Sequence, residues 1–111
     1  MPSKNPAQRL ADILENIQLI QDFVIGMSYD AYARDPKTVY AVTRALEIIS
    51  EASRRLPDDL KEKHPEVDWV AVAAAGNVYR HEYENVDDRL TWNTIEHEFW
   101  PLRAAVATEM H

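Results

Sequence analysis

Two glycines in a chain of 111 residues constrain the fold of this protein more than any other feature of its sequence. Hairpin turns and strand bulges use glycine, whereas helices avoid it, so a sheet protein of this length would need more of them. The apolar residues also recur at the three- and four-residue spacing of a helix face. The first such face consists of Leu10, Ile13, Leu14, Ile17, Ile20, Val24 and Met27. The sequence therefore predicts an all-α fold.

Four main helices are predicted, packed as an up-down bundle in a single domain over residues 1–111. The first helix runs from about Pro6 to Met27. The second begins at Pro36, because a first-turn proline costs a helix no hydrogen bond, and Asp35 is expected to be its N-cap. Its inward face consists of Val39, Val42, Leu46, Ile49, Ser53 and Leu56, and Pro57 stops it.

The second half of the chain carries the other two helices after a short helical turn, which is expected at Asp58 to Lys63. The third helix is capped by Asp68 and runs from Trp69 to about Tyr83. The fourth opens at Val86-Asp87, and its inward residues are Leu90, Ile95, Phe99, Leu102 and Val106. Pro101 falls inside that last pattern and predicts a kink or a break near Phe99.

Composition excludes several classes of function. The net charge of −7 argues against broad, non-specific nucleic-acid binding, which depends on many phosphate contacts, although a small cationic cleft is compatible with it. The absence of cysteine excludes disulfide and thiolate chemistry and favours the cytoplasm. No apolar run approaches the roughly 18 to 20 residues that cross a bilayer, and residues 1–10 lack the apolar core of a signal peptide. A cytoplasmic protein with no membrane partner is expected.

The third predicted helix begins with seven apolar residues in a row, Trp69 to Ala75. A helix that is apolar all round is either central to its own subunit or shared with a partner, and the two interpretations weigh about equally here. The large apolar side chains of Trp92 and Trp100 are also expected to pack against other residues, and tryptophan is enriched at interfaces. Dimerisation through helices is therefore expected beside the monomeric alternative.

The segment from Gly76 to Tyr83 concentrates more polar chemistry than any other stretch of the chain. His81 titrates near neutrality and Arg80 is a fixed cation, and the cleavage of a phosphodiester needs both kinds of group. Asn77 lies four residues before His81, on the same helical face, where its amide can orient the ring or contact phosphate. The alternative is that the segment is only the solvated end of a helix.

The remaining polar residues are weaker candidates. His64 lies beside a proline in a connection and is expected to be solvated. Glu96, His97 and Glu98 are adjacent on a helix and point in different directions, so no metal site and no cofactor are expected. Arg54-Arg55 lies near a run of mixed charge, and a solvated surface is a better explanation for it than a phosphate-binding patch.

The order and spacing of several segments resemble the HepT-like proteins of the HEPN superfamily (higher eukaryotes and prokaryotes nucleotide-binding), and the likeness covers nearly the whole chain. The segments that carry it are Leu10 to Leu14 with Ile17, Arg44 to Ala52, Pro65, Asp68-Trp69, Gly76 to Tyr83, Val86-Asp87, and Trp92 to Arg103. The resemblance implies a homodimeric helical bundle. It also implies the toxin of a type VII-like toxin–antitoxin system, which cleaves RNA without a metal. The implied partner is a minimal nucleotidyltransferase antitoxin, which in some members adds AMP to a tyrosine of the motif.

The family motif is an arginine, four residues, a histidine, one residue and a tyrosine. His81 and Tyr83 match it, and Asn77 matches the polar residue that commonly follows the arginine. By the same likeness, Tyr83 is a possible AMP acceptor. Glu51 resembles the family's glutamate and is expected to hold a basic residue of the motif, or else to be an ordinary polar position. Gly76 stands where the arginine is expected.

Arg80 is one turn above that gap. Helical side chains lean toward the N-terminus, so Arg80 would project over Gly76 and supply the missing cation. The equally weighted alternative is that Gly76 permits close helix packing while Arg80 pairs with Glu84. Three functions stay open from sequence alone. The first is a ribonuclease toxin. The second is a catalytically weak or inactive protein that binds a nucleotidyltransferase and is itself modified with AMP on Tyr83 or Tyr79. The third is a helical interaction module without a nucleotide-related role.

Overall fold

In the computed structural model of the protein, residues 5–76 and 88–110 are described, and those residues contain helices and no strand. The helices are α1 (Ala7–Val24), α2 (Tyr29–Ala33), α3 (Pro36–Arg54), α4 (Asp58–Glu62), α5 (Trp69–Ala75), α6 (Asp88–Asn93) and α7 (Phe99–Glu109), with a π-helical turn at Thr94–Glu98 between the last two. The predicted all-α class is confirmed. The predicted continuation of the third helix to Tyr83 and the predicted start at Val86-Asp87 lie outside the described residues.

The core forms where α1 packs against α3 on one side and α7 on the other, while α5 packs against α3. Each helix contributes one apolar face, and burying a side chain of valine or leucine size stabilises a fold by about 1.5–3 kcal/mol. Within α1, α3 and α7, the fully buried large residues are Ile13, Ile17 and Ile20 of α1, Val42, Leu46 and Ile49 of α3, and Phe99, Leu102 and Val106 of α7. All of them belong to the faces predicted from the sequence.

The first helix ends earlier than predicted, and a short helix follows that the sequence interpretation missed. α1 stops at Val24 because the chain turns through Gly26, whose φ of 76° lies in the left-handed region that favours glycine. Ser28 then caps α2 by accepting a hydrogen bond from the Ala31 N–H at 3.1 Å. Because the capping serine and the N–H that it binds are only three residues apart, α2 could have been predicted from the sequence.

The two predicted N-caps behave differently. The Asp68 carboxylate accepts a hydrogen bond from the Ala71 N–H at 3.0 Å and caps α5 as expected. Asp35 occupies the N-cap position of α3 but makes no side-chain bond to the helix backbone. Its carboxylate accepts from the Thr38 hydroxyl at 2.7 Å instead, so the predicted cap is correct in position and wrong in its partner.

The disturbance expected near Phe99 is the π-helical turn at Thr94–Glu98, which interrupts the α-helical hydrogen bonding just before α7. A π turn adds a residue and so shifts the helical phase. The predicted inward face consequently fails at Leu90, which is 49% exposed, whereas Ile95 and the residues from Phe99 onward stay buried.

Much apolar surface of the bundle faces outward. Val70 of α5 is 81% exposed, so the described residues cover only one side of that helix, where Val72 is buried. Trp92 packs against Tyr32, with 5.2 Å between ring centroids, but Trp100 is 59% exposed. Within the described part of the chain, no helix has the length and apolar character needed to cross a membrane.

Candidate functional site

Most of the site residues expected from the sequence lie outside the described residues. These are Asn77, Arg80, His81 and Tyr83, together with Tyr79 as the other possible AMP acceptor. Gly76, which directly precedes Asn77, and Glu51 on α3 are described. The structure therefore describes the surface next to the polar segment, which is formed by the end of α5 and by α3.

Gly76 is pressed against α3. A Cβ atom built on it would lie 2.9 Å from Ser50 Oγ, which is closer than real Cβ contacts, and 3.1 Å from the Glu47 Cα, which is a tight contact. The Gly76 N–H donates a hydrogen bond to Ser50 Oγ at 2.8 Å. Close helix packing is thus a sufficient reason for a glycine at this position, as one of the two alternatives proposed. The pairing of Arg80 stays a prediction.

Ser50 is the residue of this region that sequence reasoning missed. Its side chain is 1% exposed, and its hydroxyl also donates to the Val72 carbonyl at 2.8 Å. One hydroxyl therefore satisfies an N–H and a C=O at the end of α5. The available signal was the position of Ser50 beside Ile49 on the apolar face of α3, where a small polar residue indicates a close helix contact.

Arg54 reaches the same end of α5 one turn further along α3. Its Nη2 donates to the Ala73 carbonyl at 2.6 Å, and its Nη1 contacts Glu51 Oε2 at 3.2 Å. The last carbonyls of a helix have no partners within the helix and carry partial negative charge, so a guanidinium is favourable there. Arg54 thus joins α3 to the last turn of α5.

Glu51 holds arginines of its own helix. Besides Arg54, Glu51 Oε1 accepts from Arg55 Nε at 2.8 Å, and this hydrogen bond is the main reason that the pKa of the Glu51 carboxyl is lowered. The interpretation of Arg54-Arg55 as part of a mixed-charge surface agrees with these pairs. The expected role of Glu51 toward a basic residue of the motif stays a prediction, because Arg80 lies outside the described residues.

A polar groove of about 220 Å³ runs between α1 and α3 beside this contact. Charged residues of both signs line it, namely Arg9, Asp12, Arg44, Glu47 and Glu51. The Arg44 side chain is 72% exposed and its ion pair with Glu47 is 3.5 Å long. Surface pairs of this kind contribute about 0–1 kcal/mol, so Arg44 is available to an anionic ligand at low cost.

His64 is buried, and the expectation that it is solvated was wrong. Its ring is enclosed by two carboxylates, with Nε2 2.7 Å from Glu109 Oε2 and Nδ1 3.3 Å from Glu66 Oε2. The hydrogen bond with Glu109 chiefly raises the pKa of His64. Glu109 is distant in sequence, so no local pattern around Pro65 could reveal this contact. His64 belongs to the opposite end of α5, where its carbonyl accepts from the Trp69 indole at 3.1 Å.

Among the residues that the structure describes, no three His, Asp or Glu side chains converge as metal ligands would. His97 is exposed on the π-helical turn.

Comparison with known proteins agrees with the resemblance seen in the sequence. A model of the family described as "Ribonuclease HepT-like" matches residues 13–108. The chain is 40% identical over 94 residues to the protein named "Probable ribonuclease HepT" of Thermococcus cleftensis, and the alignment covers 85% of this chain and 86% of that protein. No solved structure gives a significant match.

Two further relatives have names that include the word RNase. One, from Caldanaerobacter subterraneus, is 36% identical over 103 residues, which is 93% of this chain and 92% of the relative. The other, from Methanocaldococcus jannaschii, is 38% identical over 95 residues, which is 86% of this chain and 78% of the relative. The matched range contains α3, α5 and the segment between Gly76 and Tyr83. The chain belongs to the HepT-like ribonuclease family of the HEPN superfamily.

Proposed function

We propose that this protein is a metal-independent endoribonuclease and the toxin of a type VII-like toxin–antitoxin system. In this proposal His81 and Arg80 are the catalytic residues, and Asn77, Tyr83 and Glu51 bind RNA phosphate or orient the catalytic groups. The active form is a homodimer whose site lies in the cleft between subunits. A minimal nucleotidyltransferase is the antitoxin.

One observation carries the proposal. The family match extends over residues 13–108 and so includes the segment in which His81 and Tyr83 stand at the motif spacing. The relatives' names support an activity on RNA. The sequence and its matches thus favour a nuclease over an interaction module without nucleotide chemistry.

The chemistry follows from the two catalytic side chains. The 2′-oxygen of a ribose attacks the adjacent phosphorus, and the bond from phosphorus to the 5′-oxygen breaks. His81 takes the proton from the 2′-hydroxyl or delivers one to the departing 5′-oxygen, and proton transfer of this kind contributes about 10²–10⁴-fold in rate. Arg80 stabilises the charge that develops on the phosphoryl oxygens.

One imidazole fills only one proton-transfer role in each turnover. A two-fold dimer brings a second copy of His81 to a shared cleft, so that one copy acts as base and the other as acid. The exposed apolar residues support self-association, since Val70 on α5 is 81% exposed and Trp100 on α7 is 59% exposed. A second subunit packed on these helices would cover both.

The test is RNA cleavage by purified wild type and by His81→Ala and Arg80→Ala variants in EDTA, with His97→Ala as the matched histidine control. We expect His81→Ala to lower the rate by about 10²–10⁴-fold and Arg80→Ala by about 10²–10³-fold. His97→Ala should cleave as the wild type does, because His97 lies on the exposed π-helical turn.

The outcomes separate the parts of the proposal. A wild type that cleaves RNA only when a divalent metal is present would contradict the metal-independent mechanism. Full activity of Arg80→Ala would rule out Arg80 as the replacement cation while leaving His81 in place. A wild type that leaves RNA intact, with or without metal, would refute the nuclease.

A second function is favoured by one observation, the crowding at Gly76. The position where the motif has its arginine accepts no side chain unless Ser50 or the backbone around it shifts, because a Cβ there meets Ser50 Oγ at 2.9 Å. A catalytically weak protein could then serve as the binding partner and AMP acceptor of the nucleotidyltransferase. Co-expression with that enzyme followed by mass spectrometry should find AMP on Tyr83 or Tyr79, and expression of this chain alone should not arrest growth.

A further inference from the structure

We propose that the polar groove between α1 and α3 is a phosphate-binding subsite, in which Arg44 and Arg9 hold one backbone phosphate of an RNA strand. The choice of RNA as the ligand rests on the proposed function, whereas the preference of the groove for a phosphate group does not. The two guanidiniums fix the strand on the protein surface and take no part in proton transfer.

The size and lining of the groove suit a phosphate group better than a whole nucleotide. Its volume of about 220 Å³ is below the roughly 300–1,000 Å³ of clefts that enclose a small organic ligand. Arg9 and Asp12 of α1 face Arg44, Glu47 and Glu51 of α3 across it. None of the described residues that line it has an aromatic ring on which a base would stack. The groove therefore contacts the backbone of a strand and not its bases.

Arg44 is the cation that the groove exposes most. Its side chain is 72% exposed, and its Nη1 lies 3.5 Å from Glu47 Oε2, which is long for a hydrogen bond. A phosphate offers two oxygens to the planar guanidinium, and bidentate contacts of this kind are short and strong. A backbone phosphate therefore replaces Glu47 as the partner of Arg44 with a net gain in hydrogen bonding.

The carboxylates beside the groove are bonded to other residues. Glu51 accepts from Arg55 Nε at 2.8 Å and contacts Arg54 Nη1 at 3.2 Å, so two cations share one carboxylate. The Asp12 carboxylate accepts from Gln8 Nε2 at 2.8 Å. With these ion pairs included, the groove holds four arginines against three carboxylates, on a chain whose net charge is −7. It is thus a slightly cationic region of an acidic protein, where an anion is repelled least.

The groove also borders the end of α5. The Cα of Glu47, whose side chain pairs with Arg44, lies 3.1 Å from a Cβ built on Gly76. A strand held at Arg44 therefore lies beside the point where α5 ends, whatever the path of the chain beyond Gly76. The alternative is that Arg44 serves only its ion pair with Glu47 within α3, and the two interpretations predict opposite results for Glu47.

The experiment measures affinity for a single-stranded 2′-O-methyl oligonucleotide, which carries the phosphates of RNA but lacks the attacking hydroxyl and so stays intact. Fluorescence anisotropy gives Kd at several salt concentrations, and circular dichroism checks that each variant is folded. We expect Arg44→Gln to weaken binding by about 10-fold, because a charge-assisted hydrogen bond to phosphate is lost. The slope of log K against log salt should fall by about 0.7. Arg9→Gln should change both quantities in the same direction.

Two further arginine variants separate charge from geometry. Arg44→Lys should keep the salt slope of the wild type but bind more weakly, because lysine lacks the bidentate fork. Arg103→Gln is the control of equal charge, since the Arg103 guanidinium bonds the side-chain oxygens of Gln21 and Gln18 away from the groove. It should stay within about 2-fold of the wild type, because salt screens distant surface charges.

The sharpest prediction concerns Glu47. Glu47→Gln should bind the oligonucleotide about 2- to 3-fold more tightly, because it releases Arg44 and removes a charge that repels phosphate. Glu62→Gln is the matched control, since Glu62 is exposed on α4 and does not line the groove. If Arg44 served only its ion pair, Glu47→Gln and Glu62→Gln would bind alike.

Three results would overturn the subsite. They are equal affinities of Arg44→Gln and Arg103→Gln, equal affinities of Glu47→Gln and Glu62→Gln, and a wild type that does not bind the oligonucleotide. Inorganic phosphate that displaces the oligonucleotide at an ionic strength where chloride does not would make a free anion the ligand and overturn the choice of RNA.

Cleavage of unmodified RNA in EDTA keeps this test apart from that of the proposed function. A wild type that binds through Arg44 but cleaves nothing refutes the nuclease and supports the subsite. A wild type that cleaves RNA, with an affinity that does not depend on Arg44, supports the nuclease and refutes the subsite.

Discussion

The two ends of α5 are held by contacts of different kinds. At its beginning, the Asp68 carboxylate bonds the Ala71 N–H, and the Trp69 indole donates to the carbonyls of Lys61 and His64, so every partner lies within eight residues in sequence. At its end, Ser50 and Arg54 of α3 hold the backbone across separations of 19 to 26 residues. The first end depends on local sequence and the second on the packing of two helices.

The difference matters because only the second end adjoins the polar segment. A local cap fixes where a helix begins, whatever surrounds it. A contact between helices fixes the helix end relative to the bundle. The beginning of α5 is accordingly a matter of stability, and its end is a matter of stability and placement together.

The strongest way to break the second end is to add one methyl group at Gly76. Gly76→Ala places a Cβ against Ser50 Oγ and the Glu47 Cα, and overpacking of this kind costs about 1–3 kcal/mol in the free energy of unfolding. Urea unfolding measures the loss. In a Ser50→Ala background the closest of these contacts is gone, so the added cost of Gly76→Ala should fall by about 1 kcal/mol. Strict additivity of the two substitutions would contradict the close contact.

The first end is broken by removing its cap. Asp68→Ala should cost about 0.5–2 kcal/mol, since the Ala71 N–H loses its partner. Asp35→Ala is the matched control, because Asp35 occupies the same position on α3 without a side-chain bond to that helix's backbone. Thermal unfolding of both variants should rank them in that order. Equal losses would mean that the cap bond of Asp68 contributes little.

The beginning of α5 was readable from the sequence, and its end was not, for a physical reason. Helical faces and the Asp68 cap are patterns over a few residues, which is why the buried faces of α1 and α3 were predicted correctly. Ser50 and Arg54 act on carbonyls and an N–H that any residue at those positions would present. The position of Ser50 on the apolar face of α3 indicates a close helix contact, but no side-chain pattern identifies its partners or those of Arg54. His81 and its neighbours, by contrast, were singled out from their polar chemistry and from the resemblance, and their roles stay predictions.

The connection before α5 gives a smaller, pH-dependent effect. Both carboxylates around His64 favour its protonated form, and its pKa is raised above the ordinary value of 6.5. A raised folded-state pKa contributes stability that is fully present below about pH 6.5 and is lost as the pH rises through the folded pKa. The Tm should therefore decline toward alkaline pH in the wild type and less so in Glu109→Gln. Parallel Tm profiles of the two proteins would contradict the role of the His64–Glu109 contact.

The smallest expected effect separates two neighbouring arginines. Arg54→Gln removes the hydrogen bond to the Ala73 carbonyl and the contact with Glu51, whereas Arg55→Gln removes a contact with Glu51 within α3. Both side chains are partly exposed, so each ion pair contributes about 0–1 kcal/mol, and the carbonyl bond adds about 1 kcal/mol for Arg54 alone. Hydrogen exchange of the α5 amides should quicken in Arg54→Gln and stay unchanged in Arg55→Gln. If both variants leave exchange at the end of α5 unaltered, Ser50 holds that end without help from Arg54.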